Sequence, residues 1–234
     1  MSDRGHLRMP YAVQVEFRTA SSFLIAYSVN LSRGGMFLET AQDIPQGAGI
    51  GLALEVPGAG SLDLTGVVAW RRGLDSPDGP AGLGIELQDV APALGATIDQ
   101  LVAMFHGIQI LLLSGDRQDR TTLARLIKSI VTTAEVVQAA DAEVAKTMLA
   151  PEIDLLVVDL DFETEGAFET LRAARTLSPR IPTVAITANA KLREQARAEG
   201  ADETAANPPA FTDLQLVLVR ALSRPVRVSP IPIL

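Results

Sequence analysis

The spacing of apolar residues changes once along this chain, near residue 107, and the change calls for two domains of different class. Before it, apolar and polar residues alternate over short runs such as Ala12-Val13-Gln14-Val15-Glu16-Phe17 and Leu62-Asp63-Leu64-Thr65, the pattern of strands with one wet face. After it, Ile108–Leu113 is an almost unbroken apolar run, as expected of a strand covered on both faces. Leu155–Val158 and Thr183–Ile186 repeat that pattern.

Six short strands are expected in the first half: 12–17, 24–29, 35–38, 49–56, 62–70 and 83–87. Turn signals at Ile44-Pro45-Gln46-Gly47, Pro57-Gly58-Ala59-Gly60 and Ser76-Pro77-Asp78-Gly79-Pro80 separate them. That spacing predicts a small all-β barrel or sandwich. One helix follows, with Leu94, Ile98, Leu101, Val102 and Phe105 on a single face and Gly107 at its end. In the second half, strands at 108–113, 136–137, 155–158, 183–186 and 203–206 alternate with helices at 117–130, 142–150, 166–177, 190–199 and 210–222. This predicts a doubly wound α/β domain on a five-stranded parallel sheet. The expected domains are 1–106 and 108–223, followed by an extended proline-rich tail at 224–234.

Composition narrows the chemistry. The chain has no cysteine, which excludes disulfides and thiolate metal sites, and only His6 and His106 as histidines. No metal site and no cofactor are expected. The net charge of -8 argues against a nucleic-acid partner. No apolar run is long enough for membrane insertion, and the first ten residues carry no apolar signal core, so the expectation is a cytoplasmic protein. Residues 1–106 hold six arginines and no lysine against eleven acidic residues. Three of those arginines, Arg4, Arg8 and Arg33, lie in two short motifs, which suits a small anionic ligand better than a polymer.

The first motif is Arg4-x-x-x-Arg8 and the second is Asn30-x-Ser32-x-x-Gly35. Arginine pairs with phosphate, meets the N7/O6 edge of guanine in bidentate fashion and stacks on a base. Asn30 offers an amide donor and acceptor, Ser32 offers a hydroxyl, and Gly35 has no Cβ to hold a bulky ligand away. Arg33 is a weaker candidate for a phosphate contact, and Trp70 reads as core rather than as a stacking surface.

Together the motifs resemble the paired signature of PilZ domains, RxxxR followed by [D/N]xSxxG. The later text Gly34-Gly35-Met36-Phe37-Leu38, Gly66-Val67-Val68-Ala69-Trp70 and Gly82-Leu83-Gly84-Ile85-Glu86-Leu87 resembles the same family. The resemblance implies a six-stranded PilZ-type barrel with a C-terminal helix. It implies cyclic di-GMP as ligand, bound through Arg4, Arg8, Asn30, Ser32 and Gly35. Asn30 stands where many members carry Asp, which exchanges a charged acceptor for an amide.

The second half resembles a response-regulator receiver. Asp159 falls at the phosphoacceptor position and Thr187 at the switch threonine. The acidic pair that holds Mg²⁺ in that family aligns with Ser114-Gly115, and the lysine aligns with Asn207. A pseudo-receiver is therefore expected, with Asp159 and Thr187 vestigial. The whole reads as a non-enzymatic signalling adaptor: cyclic di-GMP binds one half, and the other half dimerises or docks a protein partner. Two alternatives remain open, an interaction module that binds no nucleotide and a response regulator phosphorylated on Asp159.

Overall fold

The computed structural model describes residues 9–76, 80–88 and 90–231. These form two compact units, one running to Phe105 and resuming at Pro225, the other spanning His106–Arg224.

In the first unit, β1 (Tyr11–Glu16) leads into α1 (Ala20–Val29) and a 3-10 turn at Leu31–Arg33. Strands β2 (Gly35–Glu39), β3 (Gly49–Val56), β4 (Gly60–Arg72) and β5 (Gly82–Gln88) follow, then α2 (Val90–Ala103). The strands lie in the order β1-β3-β4-β5-β2. β1 and β3 run parallel, while β3–β4, β4–β5 and β5–β2 are antiparallel. The result is a curled mixed sheet, not the all-β barrel expected. Its core includes Val13, Val15, Phe17, Leu38, Ile50, Leu52, Leu54 and Val68.

The segment 24–29, expected as a strand, is the body of α1. Its apolar residues, broken only at Ser28, fix no period, so the ends decide. Thr19 and Ser22 form a capping box: the Ser22 N–H donates to Thr19 Oγ1 at 3.0 Å and the Thr19 N–H to Ser22 Oγ at 3.1 Å. Phe23 and Ala26, one helical step apart, are buried. Phe23 meets Phe17 edge to face at 5.2 Å. Helix α2 packs against β4, α1 and the 3-10 turn. It buries Leu94 and Leu101, but Val102, expected on the same face, is exposed.

The second unit follows the predicted alternation closely: β6 (Ile108–Leu113), α3 (Arg117–Ile130), β7 (Ala134–Ala139), α4 (Ala142–Thr147), β8 (Leu155–Asp159), α5 (Thr164–Thr176), β9 (Thr183–Ile186), α6 (Ala190–Ala198), β10 (Glu203–Ala205) and α7 (Phe211–Ser223). All five strands are parallel, in the order β10-β9-β8-β6-β7. This is the doubly wound order 2-1-3-4-5, in which functional groups gather outside the carboxyl ends of the strands.

The tail does not stay unpaired. Residues Arg227–Pro230 form β11, antiparallel to β1 with Val15 opposite Val228. The ladder is framed by Val226 N–H to Glu16 O at 2.9 Å and Ile231 N–H to Ala12 O at 2.9 Å. Val228 packs on the first unit's core. The end of the sequence thus supplies the sixth strand of the unit at its beginning. Pro230 sits where a missing N–H is tolerated, on the sheet edge.

Candidate functional site

In the first unit the second motif occupies the junction between α1 and β2. Asn30 caps α1, its N–H donating to Ala26 O, and then opens the 3-10 turn, its carbonyl accepting from the Arg33 N–H at 3.0 Å. Its side chain is half-buried and does not cap the turn. Leu31 anchors the turn in the core. Ser32 and Arg33 are exposed; the Ser32 hydroxyl donates to Ser28 O at 3.2 Å, and Arg33 forms no ion pair among the described residues. Gly34 adopts φ 78, a left-handed conformation suited to glycine, and its carbonyl accepts from the Leu87 N–H at 2.7 Å. A Cβ on Gly35 would find its nearest neighbour at 3.6 Å. The junction therefore needs a glycine at Gly34, while Gly35 leaves an open spot at the head of β2. Arg4 and Arg8 lie outside the described residues.

Beside this turn is a feature the sequence reading missed. On the outer face of the sheet Phe37 of β2, Gly84 of β5 and Trp70 of β4 share one rung. The Phe37 and Trp70 rings stack with centroids 5.4 Å apart and planes 12° apart. The Arg72 guanidinium lies 4.9 Å from the Phe37 centroid and 5.4 Å from that of Trp70. Glycines make the room. A Cβ on Gly84 would fall 2.1 Å from the Trp70 ring, and one on Gly82 would fall 2.3 Å from Leu38 O.

Trp70 is 43% exposed, although Leu64, Gly66 and Val68 point inward and the two-residue period would send Trp70 after them. A bulge between Val68 and Trp70 inserts one residue and turns the indole outward. Trp70 is therefore a surface platform and not core. The available signals were the Gly82-x-Gly84 spacing and the Trp70-Arg71-Arg72 run, neither of which reveals a bulge. The turn offers polar donors and a cation, and the shelf offers flat aromatic surface with a guanidinium. Together they suit an anionic ligand with aromatic rings.

The second unit gathers a different cluster at the carboxyl ends of its strands. Asp159, ending β8, is 3% exposed. Ser114 donates to its Oδ2 at 3.0 Å, the Asp161 N–H donates to its Oδ1 at 3.0 Å, and the Asn207 amide reaches Oδ1 at 3.4 Å. Burial is the main force raising its pKa above the ordinary carboxylate range; the hydrogen bonds from Asp161 and Ser114 oppose this. Thr187, fully buried, donates to Asp161 Oδ1 and not to Asp159. Among the described residues no three His, Cys, Asp or Glu side chains are grouped to hold a metal ion. Ser114, Asp159, Thr187 and Asn207 do converge as the alignment with receivers implied. Asp161, which the sequence offered only as a remote cation ligand together with Glu163, joins them as a hydrogen-bond acceptor.

Comparison with known proteins matches these descriptions. Residues 2–104 match the family model of the PilZ domain. The second half is similar to several solved receiver structures. The signal receiver domain of a DNA-binding response regulator from Colwellia psychrerythraea 34H shows 19% identity and a TM-score of 0.43, covering 47% of this chain and 94% of that one. The receiver domain of the sensor histidine kinase PA1611 from Pseudomonas aeruginosa PAO1, with magnesium in its active-site cleft, shows 24% identity and a TM-score of 0.44, covering 50% and 98%. A putative pilus assembly protein, CpaE, from Burkholderia thailandensis E264 shows 22% identity and a TM-score of 0.44, covering 50% and 99%. No curated protein matches the chain.

Proposed function

We propose that this chain, a PilZ domain joined to a receiver-like unit, is a non-enzymatic signalling adaptor whose first unit binds cyclic di-GMP. One observation carries the reading: the motif turn exposes Ser32 and Arg33 at the head of β2, and Phe37, two residues after Gly35 on that strand, stacks with Trp70 under the Arg72 guanidinium on the outer face. Phosphate finds a hydroxyl and a guanidinium there, and a guanine finds a flat ring. Asn30 addresses a guanine edge, Gly35 leaves space for the ligand, and Arg4 and Arg8 supply the clamp that the family signature implies. Binding then changes the surface around the segment leading into β1, and the adaptor passes that change to a partner.

The second unit serves as a docking or dimerisation module without phosphorylation. In support, Asp159 is buried and accepts hydrogen bonds from Ser114, Asp161 and Asn207, the last standing where the resemblance places a lysine. Phe211 and Leu216 stand exposed on α7 and offer apolar surface for such docking. Among the described residues no helix is long and apolar enough to cross a membrane.

The test is calorimetric titration of cyclic di-GMP into the wild type, Arg4→Ala and Arg8→Ala. Saturable heat in the wild type that either substitution removes supports the receptor reading. No heat in the wild type leaves an interaction module that binds no nucleotide.

A further inference from the structure

The loop from β8 into α5 has a conformation that needs explaining. Glu163 has φ 49, the single positive φ at a non-glycine position among the described residues. Such a residue persists where its surroundings over-determine it. Two neighbours supply that constraint. The Phe162 ring lies against Gly115, where an added Cβ would fall 1.7 Å from it, so the loop covers the end of β6. Asp161 turns the other way, into a set of donors from separate elements. Its Oδ1 accepts from the Thr187 hydroxyl at 2.5 Å, its Oδ2 from the Ala188 N–H at 2.9 Å, and its Oδ2 also from the Asn207 amide at 3.0 Å. Thr187 is fixed further by accepting from the Asn189 N–H at 3.0 Å.

Three converging donors, one of them a backbone N–H, are what an oxyanion requires. Here the chain fills that place with its own carboxylate. We propose that Asp161 is a built-in anion that plugs an oxyanion nest formed by Thr187, Ala188 and Asn207, and so latches the loops after β8, β9 and β10 in one arrangement.

The charges agree with a plug. Asp159 already lies beside Asp161, and Arg120 is committed to the carbonyls of Ser114 at 2.6 Å and Gly115 at 3.2 Å. An external oxyanion at this spot would add negative charge where the donors are already taken. The proposal extends the reading of a non-phosphorylated second unit and is independent of ligand binding by the first.

The experiment is amide NMR on the full chain, with inorganic phosphate as the probe. In the wild type the Ala188 amide exchanges slowly, and millimolar phosphate moves no resonance of Thr187, Ala188 or Asn207. In Asp161→Ala the Ala188 exchange speeds up by about tenfold or more, the amides of β8 keep wild-type protection, and phosphate shifts those three residues. The proposal is overturned by free exchange of Ala188 in the wild type. It is equally overturned if phosphate shifts the wild type as strongly as the variant, or leaves the variant unmoved. Should Asp161→Ala fail to fold, Asp161→Ser gives the same readings, because its single short hydroxyl carries no charge and cannot reach Thr187, Ala188 and Asn207 together. Loss of cyclic di-GMP binding would leave these readings untouched, so the two proposals fail separately.

Discussion

The two units place similar polar groups in opposite situations. In the first, Ser32 and Arg33 project from a turn pinned by Leu31 and Gly34, and Trp70 lies on the surface although its strand would otherwise bury it. In the second, Ser114, Asp159, Asp161, Thr187 and Asn207 satisfy one another. The difference is between polar groups turned to solvent and polar groups bonded to one another. A guanidinium without an ion-pair partner among the described residues and a bared indole invite a partner from solution. A buried carboxylate that accepts hydrogen bonds from neighbouring loops holds those loops together.

The largest effect that would sharpen this contrast is removal of the tail. Deleting residues from Pro225 onward strips β11 from β1 and exposes its edge, although the deletion lies next to the second unit in sequence. The first unit should lose on the order of 2 kcal/mol, from ladder hydrogen bonds and the burial of Val228. The second should keep its stability. Thermal unfolding followed separately at Trp70 and at amides of β8 checks this. Equal loss in both units, or none in the first, breaks the assignment of the tail.

A smaller effect is expected on the open site. Trp70→Ala should weaken cyclic di-GMP by about 1–3 kcal/mol, the cost of one lost base–aromatic stack. It should leave the melting temperature nearly unchanged, because the indole lies outside the core. Titration calorimetry beside a thermal melt separates the two. Lost stability with unchanged binding would return Trp70 to a packing role.

The smallest effect belongs to the closed site. Burial raises the Asp159 pKa, so the folded state holds a proton that the unfolded chain releases. That contribution to stability is fully present below the ordinary carboxylate range and falls as pH rises through the raised pKa. Asp159→Asn removes this dependence. Its carbonyl accepts from the Asp161 N–H, and its amide donates to the Ser114 hydroxyl. The variant should be at least as stable as the wild type near neutral pH, with a flatter pH profile in denaturant titrations. A large loss of stability at neutral pH would show that the ionised form is needed.

How much of this was legible in the sequence differs between the units for a physical reason. In the second, unbroken apolar runs fix buried strands, and β6 and β9 fall on the predicted residues. Asp159, Ser114, Thr187 and Asn207 were placed by the resemblance to receivers. In the first, the local pattern was insufficient three times. The apolar run 24–29 has no period, and the Thr19/Ser22 box that makes it helix uses serine where the usual signature has Glu or Gln. The bulge before Trp70 depends on the register with β5. The pairing of β11 with β1 joins the two ends of the chain, which no window of sequence records. Asp161 was legible only as a candidate cation ligand beside Glu163 and not as an acceptor, because its donors come from the segments after β9 and β10.

Trp70 is the chain's one tryptophan, so its emission reports directly on the open site. The most direct measurement is a fluorescence titration of the full chain with cyclic di-GMP. The account predicts a saturable change in Trp70 emission that Arg8→Ala abolishes. Emission that stays constant at every ligand concentration would contradict it.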